Sequence, residues 1–348
     1  MNEVLLRKCE LFDQNRTAVS KLFKFEKPMM SIAAGLIYTG ANRAVDIEKL
    51  TECRNILKHH TGYFSEYREI VKLALISEMA QSEDPNQYIE DVKAVYGKLH
   101  KGKIQDNSYM VLAAMLLCDL GRQNAADEIV EKHNEIMRRM NDIHPVLTGS
   151  EDISYAILLA LSDKSVDSLL RDLSDCYDYL KKECKIKVGA DSVQGLSEIL
   201  ALTDGDMKAK CDKSISLHNL LKNHKADIGG YAFTALGTLV SVDTDVEVLV
   251  KEILETDAFL SGLKGFDEKN VQMNYRLMFA IILVSESYGG SISIANSISV
   301  STALSVIKVQ KIVTMITVLS NVLPSVLGAI IDNSEAKETD SEGDTEEV

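Results

Sequence analysis

The sequence predicts an all-α fold built from tandem α/α hairpins, and three observations lead to that prediction. Only 4 of the 348 residues are proline and 46% are hydrophobic, which suits a helical chain with a sizeable core. Six Leu or Met residues, each expected to end a helix, follow one another at intervals of 40 to 42 residues. The pentapeptides LALSD (159–163) and LALTD (200–204) are nearly identical and lie 41 residues apart. We therefore expect about seven units with a period near 41, stacked as a solenoid or toroid-like superhelix.

Residues 1–24 are expected to form an amphipathic helix that caps the array, because Leu5, Phe12 and Val19 recur at helical spacing. This segment has neither a long apolar run nor a small-residue cleavage site, so it does not resemble a secretory signal. The helical-repeat domain is placed at 25–290. Its first unit begins near Phe25, with Pro28 suited to a first helical turn.

Each unit is expected to contain an apolar first helix and a more polar second helix. The second helices carry acidic residues near their starts and basic residues at their ends, the order that a helix dipole favours. Their expected last apolar residues are Leu57, Leu99, Met140, Leu180, Leu221 and Leu263. The first helices are apolar around most of their circumference, which indicates burial on most sides. Tyrosines are expected to open five of them: Tyr67, Tyr109, Tyr155, Tyr231 and Tyr275.

The C-terminal part divides into an apolar helical segment, 291–331, and a disordered acidic tail, 332–348. No residue from 312 to 331 is charged, which meets the length criterion for a membrane span. Polar residues at helical intervals favour instead a long helix packed on the end of the array and kinked at Pro324. The alternatives are a membrane anchor or surface helix, and a groove-binding or self-association helix.

The net charge and the cysteine pattern limit which cellular environment and which partners we expect for this protein. A net charge of −14 without clustered Lys or Arg argues against nucleic-acid binding. The six cysteines show neither metal-ligand nor disulfide-framework spacing, so we expect a reducing cytoplasm. No His pair has the i, i+4 spacing of a helical metal site, and no phosphate-binding glycine loop occurs, so no cofactor is expected.

The segments ILKHHTGYFSEYR (56–68), HPVLTGSED with YAILLALSD (144–163) and IAAGLIY (32–38) resemble a bacterial family of all-helical proteins of unknown function. The resemblance spans residues 22–286 and implies a helical fold of about this length, with no assigned activity. Ile153 and Ser154 stand where the family pattern usually has a second acidic residue, and Glu198 stands where it has a histidine.

One group of polar residues is a candidate ligand site. If units four and five stack in parallel, their loops bring together a histidine, two carboxylates, an amide and two hydroxyls on one rim. These residues are His144, Thr148, Asp152, Asp191, Gln194 and Ser197. The competing interpretation is that Asp152 and Asp191 cap helix N-termini and that His144 belongs to an ordinary loop.

The function we expect is that of a non-enzymatic cytoplasmic scaffold that binds a protein or peptide. Repeat architecture without a catalytic motif favours this hypothesis. The first alternative is a small-ligand binder or enzyme that uses the rim between units four and five. Association with membranes through 312–331 is the second. The chain has no tryptophan and is 6% aromatic, which weighs against carbohydrate chemistry.

Overall fold

The computed structural model describes residues 1–62, 65–68, 71–101, 108–145, 147–150, 152–183, 187–203, 205–226, 228–267 and 271–289. Within these residues the chain is helical and contains no strand. The α-helices are α1 (Glu3–Leu22), α2 (Pro28–Gly40), α3 (Ile47–His60), α4 (Lys72–Gln81), α5 (Pro85–His100), α6 (Ser108–Asp119), α7 (Ala126–Ile143), α8 (Asp152–Leu161), α9 (Val166–Asp178), α10 (Ala190–Leu202), α11 (Met207–Asn223), α12 (Tyr231–Ala235), α13 (Val246–Ser261) and α14 (Met273–Tyr288). The segment 291–331 and the acidic tail lie outside the described residues.

The even-numbered helices are buried around most of their circumference, as their apolar sequences predict. In α6, every residue from Met110 to Leu117 is buried. The odd-numbered helices bury one stripe only. In α5, for example, Tyr88, Ile89, Val92 and Leu99 lie on a single buried face. The even helices therefore supply most of the core, and the odd helices cover them from outside.

Packing follows the order of the chain. Each odd helix from α3 to α9 packs closely on the even helix that follows it, and so do α1 and α13. The odd helices also contact one another in succession from α1 to α13, and α13 in turn contacts α1. Among the even helices, α6, α8, α10, α12 and α14 contact in succession, and α2 contacts α4. Since α1 also packs on α14, the first and last described helices are neighbours.

Side-chain caps start five of the odd helices. Asn2, Asp46, Asp84, Ser165 and Asp206 each accept a hydrogen bond from a backbone amide two or three residues further on. A cap of this kind stabilises a helix by about 1 kcal/mol. The polar and acidic residues at these five positions therefore explain where these helices begin.

Two predicted first helices differ in the structure. Tyr67 does not open α4 but lies in a separate 3₁₀ turn, Glu66–Arg68, and α4 begins at Lys72. The predicted helix through ALGTLV splits into the short α12 and a 3₁₀ turn, Leu236–Leu239. Gly237 explains the second difference, because a Cβ there would lie 2.6 Å from Cγ2 of Ile199 on α10. The tighter turn thus brings its backbone unusually close to α10.

Candidate functional site

The structure brings two of the six candidate rim residues into direct contact. Asp152 is the first residue of α8, and Gln194 lies in the second turn of α10. Nε2 of Gln194 donates a hydrogen bond of 3.4 Å to Oδ2 of Asp152, and both side chains are buried. Helices α8 and α10 therefore contact each other in such a way that these two positions lie side by side.

The loop before α8 is tied to this pair. The backbone amide of Gly149 donates to Oδ2 of Asp152 over 2.7 Å, and Nε2 of Gln194 donates to the carbonyl of Leu147 over 3.2 Å. Oγ1 of Thr148 donates to the carbonyl of His144 over 3.0 Å. Asp152 thus accepts a hydrogen bond from a backbone amide of the loop that precedes α8, which ties this loop to the first turn of the helix.

Asp191 and Ser197 are placed differently. Oγ of Ser197 donates to the carbonyl of Val193 over 2.8 Å, a bond within α10 itself. Asp191 is exposed in the first turn of α10, where a carboxylate interacts favourably with the helix dipole. No hydrogen bond joins either side chain to the Asp152–Gln194 pair among the described residues.

His144 forms the outer part of the rim. Its ring packs against the ring of Tyr177 on α9, with centroids 5.0 Å apart. Burial, followed by the charges of Asp178 and Asp191, raises the pKa of Tyr177. Nε2 of His144 and Oε1 of Gln194 are both buried without a hydrogen-bond partner in the described part of the chain. The rim therefore contains two buried polar atoms that no described residue satisfies.

Glu198 is completely buried in α10, one turn after Gln194. This is the position at which the sequence departs from the pattern of the family that it resembles. This departure from the family pattern is the sequence signal that could have identified Glu198. The rim hypothesis did not include this residue.

A buried ion pair between α1 and α14 was not predicted from residue spacing. Nζ of Lys8 lies 3.5 Å from Oε2 of Glu286 and donates to the carbonyl of Thr39 over 3.0 Å. A signal for Lys8 was present, because Leu5, Lys8 and Phe12 share one helical face. No pattern in the sequence connects Lys8 with Glu286, which lies at the other end of the described chain.

The cysteines hold a second contact that their spacing did not reveal. Cys176 on α9 and Cys211 on α11 are both buried, and the thiol of Cys211 donates to Sδ of Met207 over 3.9 Å. Hydrogen bonding with the neighbouring Cys211 side chain lowers the pKa of Cys176, and the nearby charge of Lys210 adds to this effect. Burial raises the pKa of Cys9 to about 12 and that of Cys53 to about 11. Cys176 is thus distinguished from these two thiols by its neighbours.

The described helices carry neither a metal cluster nor a membrane span. Across the described ranges, no three His, Cys, Asp or Glu side chains are grouped so that they could hold a metal ion. None of the helices that the structure describes combines the length and the apolar character needed to cross a membrane. The apolar run at 312–331, on which the membrane hypothesis depends, is not part of these helices.

Cavities among the described residues also lie away from the rim. A groove of about 660 Å³ runs between α1 and the start of α3, and one of about 620 Å³ lies between α11 and α13. A smaller cavity of about 230 Å³ is lined by the loop after α1, the end of α3 and the start of α4. These spaces offer binding surfaces that no sequence pattern indicated.

Comparison with known proteins identifies the family of this chain but no activity. Neither a search of curated proteins nor a search of solved structures finds a match. A family model described as a protein of unknown function (DUF4003) matches residues 15–312, which is most of the chain. The resemblance seen in the sequence is thereby confirmed at the level of the family: the chain belongs to the DUF4003 family of proteins of unknown function.

Proposed function

We propose that this protein is a non-enzymatic helical scaffold, located in the cytoplasm, that binds a peptide segment of a partner protein. In this proposal its helices form a ring of seven α/α pairs, a closed form of the predicted array. The succession of contacts among the odd helices supports the ring, because it runs from α1 to α13 and returns to α1. The buried contact between α1 and α14 supports the same closure.

The groove between α1 and α3 is the observation that carries the binding proposal. Ala18 and Leu22 of α1 and Ile47 of α3 line this groove, and Ile47 is 39% exposed. Asp13 and Lys21 line it as well. A groove lined by apolar residues together with charges of both signs suits an amphipathic peptide helix.

Selection from a displayed peptide library tests this proposal, because any peptide helix that fits the groove can be recovered from it. Peptides selected on the wild-type protein are then measured against Ala18→Arg, which would place a long cationic side chain across the groove. Val248→Arg is the matched control, because Val248 is an exposed apolar residue on α13, outside this groove. We expect the selected peptides to lose binding to Ala18→Arg by about tenfold or more and to keep it with the control.

Two outcomes would contradict the scaffold proposal. One is equal peptide binding by Ala18→Arg and the wild type. The other is a library that yields no binder while a screen of small metabolites raises the melting temperature, since a ligand that binds only the native state stabilises it by mass action.

The rim is a second candidate, as a site for a small polar ligand. Nε2 of His144 and Oε1 of Gln194 favour it, because a ligand that bonds to them would relieve the cost of leaving two buried polar atoms without partners. We expect His144→Ala and Asp191→Ala to abolish the rise in melting temperature that a screened polar metabolite produces. Unchanged shifts in both variants would remove the rim as the binding site.

A further inference from the structure

The small cavity near the end of α1 has an unusual charge for a protein that is acidic overall. Four cationic side chains line it, together with a single carboxylate. The cations are Lys24, Arg54, Lys58 and Lys72, and the carboxylate is Glu26. The cavity is therefore positively charged, although the chain as a whole carries a net charge of −14.

The carboxylate neutralises only one of these cations. Glu26 forms its ion pair with Lys72. Arg54, Lys58 and Lys24 make no ion pair with any carboxylate that the structure describes. Three positive charges thus line the cavity without an ion pair to any described carboxylate.

Arg54 is held in place by an aromatic ring. Its guanidinium lies over the ring of Phe23, with Cζ 5.7 Å from the centroid, which orients the planar group and limits its motion. Nε of Arg54 is buried and has no hydrogen-bond partner among the described residues. An oriented guanidinium with an unused donor is the arrangement that proteins use to bind phosphate or carboxylate oxygens.

The remaining wall is apolar. Leu22, Leu57 and Ile76 line the cavity beside the cations, and Phe25 at its mouth is fully exposed to solvent. Exposure of the whole apolar ring of Phe25 to water is unfavourable in free energy. A ligand that stacks on this ring would remove it from water. The volume of about 230 Å³ is smaller than the usual range of about 300–1,000 Å³ for drug-sized ligands, so the ligand must be small.

We propose that this cavity binds a small phosphate monoester that carries an aromatic or apolar group. The phosphate contacts Arg54 and Lys58, and the apolar group lies between the aliphatic wall and the ring of Phe25. This site shares Leu22 with the groove between α1 and α3 and no lining residue with the rim. Arg54 and Lys58 line only this cavity, so the inference does not depend on either function proposed above.

Calorimetric titration at constant ionic strength tests the site with phenyl phosphate as the probe and with inorganic phosphate and phenol as partial probes. We expect saturable binding of phenyl phosphate that is stronger than that of either partial probe. Arg54→Gln and Lys58→Gln should each weaken it by about tenfold, because charge-assisted hydrogen bonds to phosphate are lost. Phe25→Ala should reduce the preference for phenyl phosphate over inorganic phosphate.

Lys208→Gln is the control, because Lys208 is an exposed lysine on α11, far along the chain from this cavity, and should leave binding unchanged. Lys58 is exposed as well, so Lys58→Gln tests the site even if Arg54→Gln disturbs the packing on Phe23. Absence of saturable binding by the wild type would overturn the proposal. Equal binding by Lys58→Gln, Lys208→Gln and the wild type would also overturn it, since the anion would then be attracted by surface charge in general.

Discussion

Lys8 on α1 and Glu286 on α14 form a buried ion pair, with Nζ and Oε2 3.5 Å apart, between the first and the last helix that the structure describes. Glu286 is completely buried as a side chain and Lys8 is 10% exposed. Phe12 of α1 adds an apolar contact nearby, because its ring meets the ring of Phe266 edge-on at 6.0 Å. The position of α1 is therefore determined by residues more than 250 positions away in the chain.

Lys8→Met should lower the free energy of unfolding by about 3 kcal/mol, because it removes one partner of a buried ion pair and leaves the other charge in a medium of low dielectric. Urea unfolding followed by circular dichroism measures the change. Arg7→Met is the matched control, since Arg7 pairs with Glu3 on the exposed face of the same helix and should cost about 0.5 kcal/mol or less. Equal losses in the two variants would show that the buried pair does not hold α1.

Gly237→Ala should destabilise the protein by about 1–3 kcal/mol, because the added methyl group would meet Ile199 at 2.6 Å and force α10 and the 3₁₀ turn apart. The matched control is Gly97→Ala, in the exposed interior of α5, where an added Cβ meets nothing within 4 Å. That substitution should stabilise the helix by up to about 1 kcal/mol. A neutral Gly237→Ala would contradict the close packing of the turn on α10.

Asp152→Ala should cost about 1–3 kcal/mol of stability, because the amide of Gly149 and the side chain of Gln194 lose a buried acceptor. Asp191→Ala, at the exposed start of α10, should cost about 0.5 kcal/mol through the helix dipole alone. Thermal unfolding of the two variants compares them directly. If Asp191→Ala proved the more damaging, the assignment of Asp152 as the residue that holds the loop would be wrong.

Stability should fall at alkaline pH because burial raises the pKa of the Cys9 thiol to about 12. In the unfolded chain this thiol ionises near its ordinary pKa of about 8.5, so rising pH stabilises the unfolded state first. The contribution of Cys9 is therefore fully present below about pH 8.5 and is lost between there and about pH 12, at about 1.4 kcal/mol per pH unit. Urea midpoints from about pH 8 to about pH 11 measure the decline. In Cys9→Ala it should be shallower, and an unchanged slope would contradict the role of this thiol.

Much of the architecture could be predicted from local pattern. Helix α3 begins after Asp46 and ends at His60, as its capping residue and basic end predicted, and Pro28 opens α2. The apolar circumference of α6 and the single stripe of α5 likewise predicted which helices lie inside. These features depend on interactions within about one helical turn, so the sequence contains them directly.

For the candidate site, the sequence predicted the positions of some residues and not of others. Spacing placed Asp152 beside Gln194 correctly, but it could not show that Ser197 would bond within α10 or that Asp191 would face solvent. Those outcomes depend on the rotation of α10 against its neighbours. That rotation is set by packing of many side chains together and not by any single motif.

The amino-acid sequence by itself determined the all-helical composition, the capped starts of helices such as α3 and the burial of helices such as α6, because hydrophobic periodicity and capping act over a few residues. Only the tertiary structure decided that α1 meets α14, that Cys176 lies near Cys211 and that three cations without an ion pair to any described carboxylate share one cavity. Each of these pairings joins segments far apart in the chain. The free energy that selects such pairings comes from burial and electrostatics after the helices have packed, and no local pattern records it.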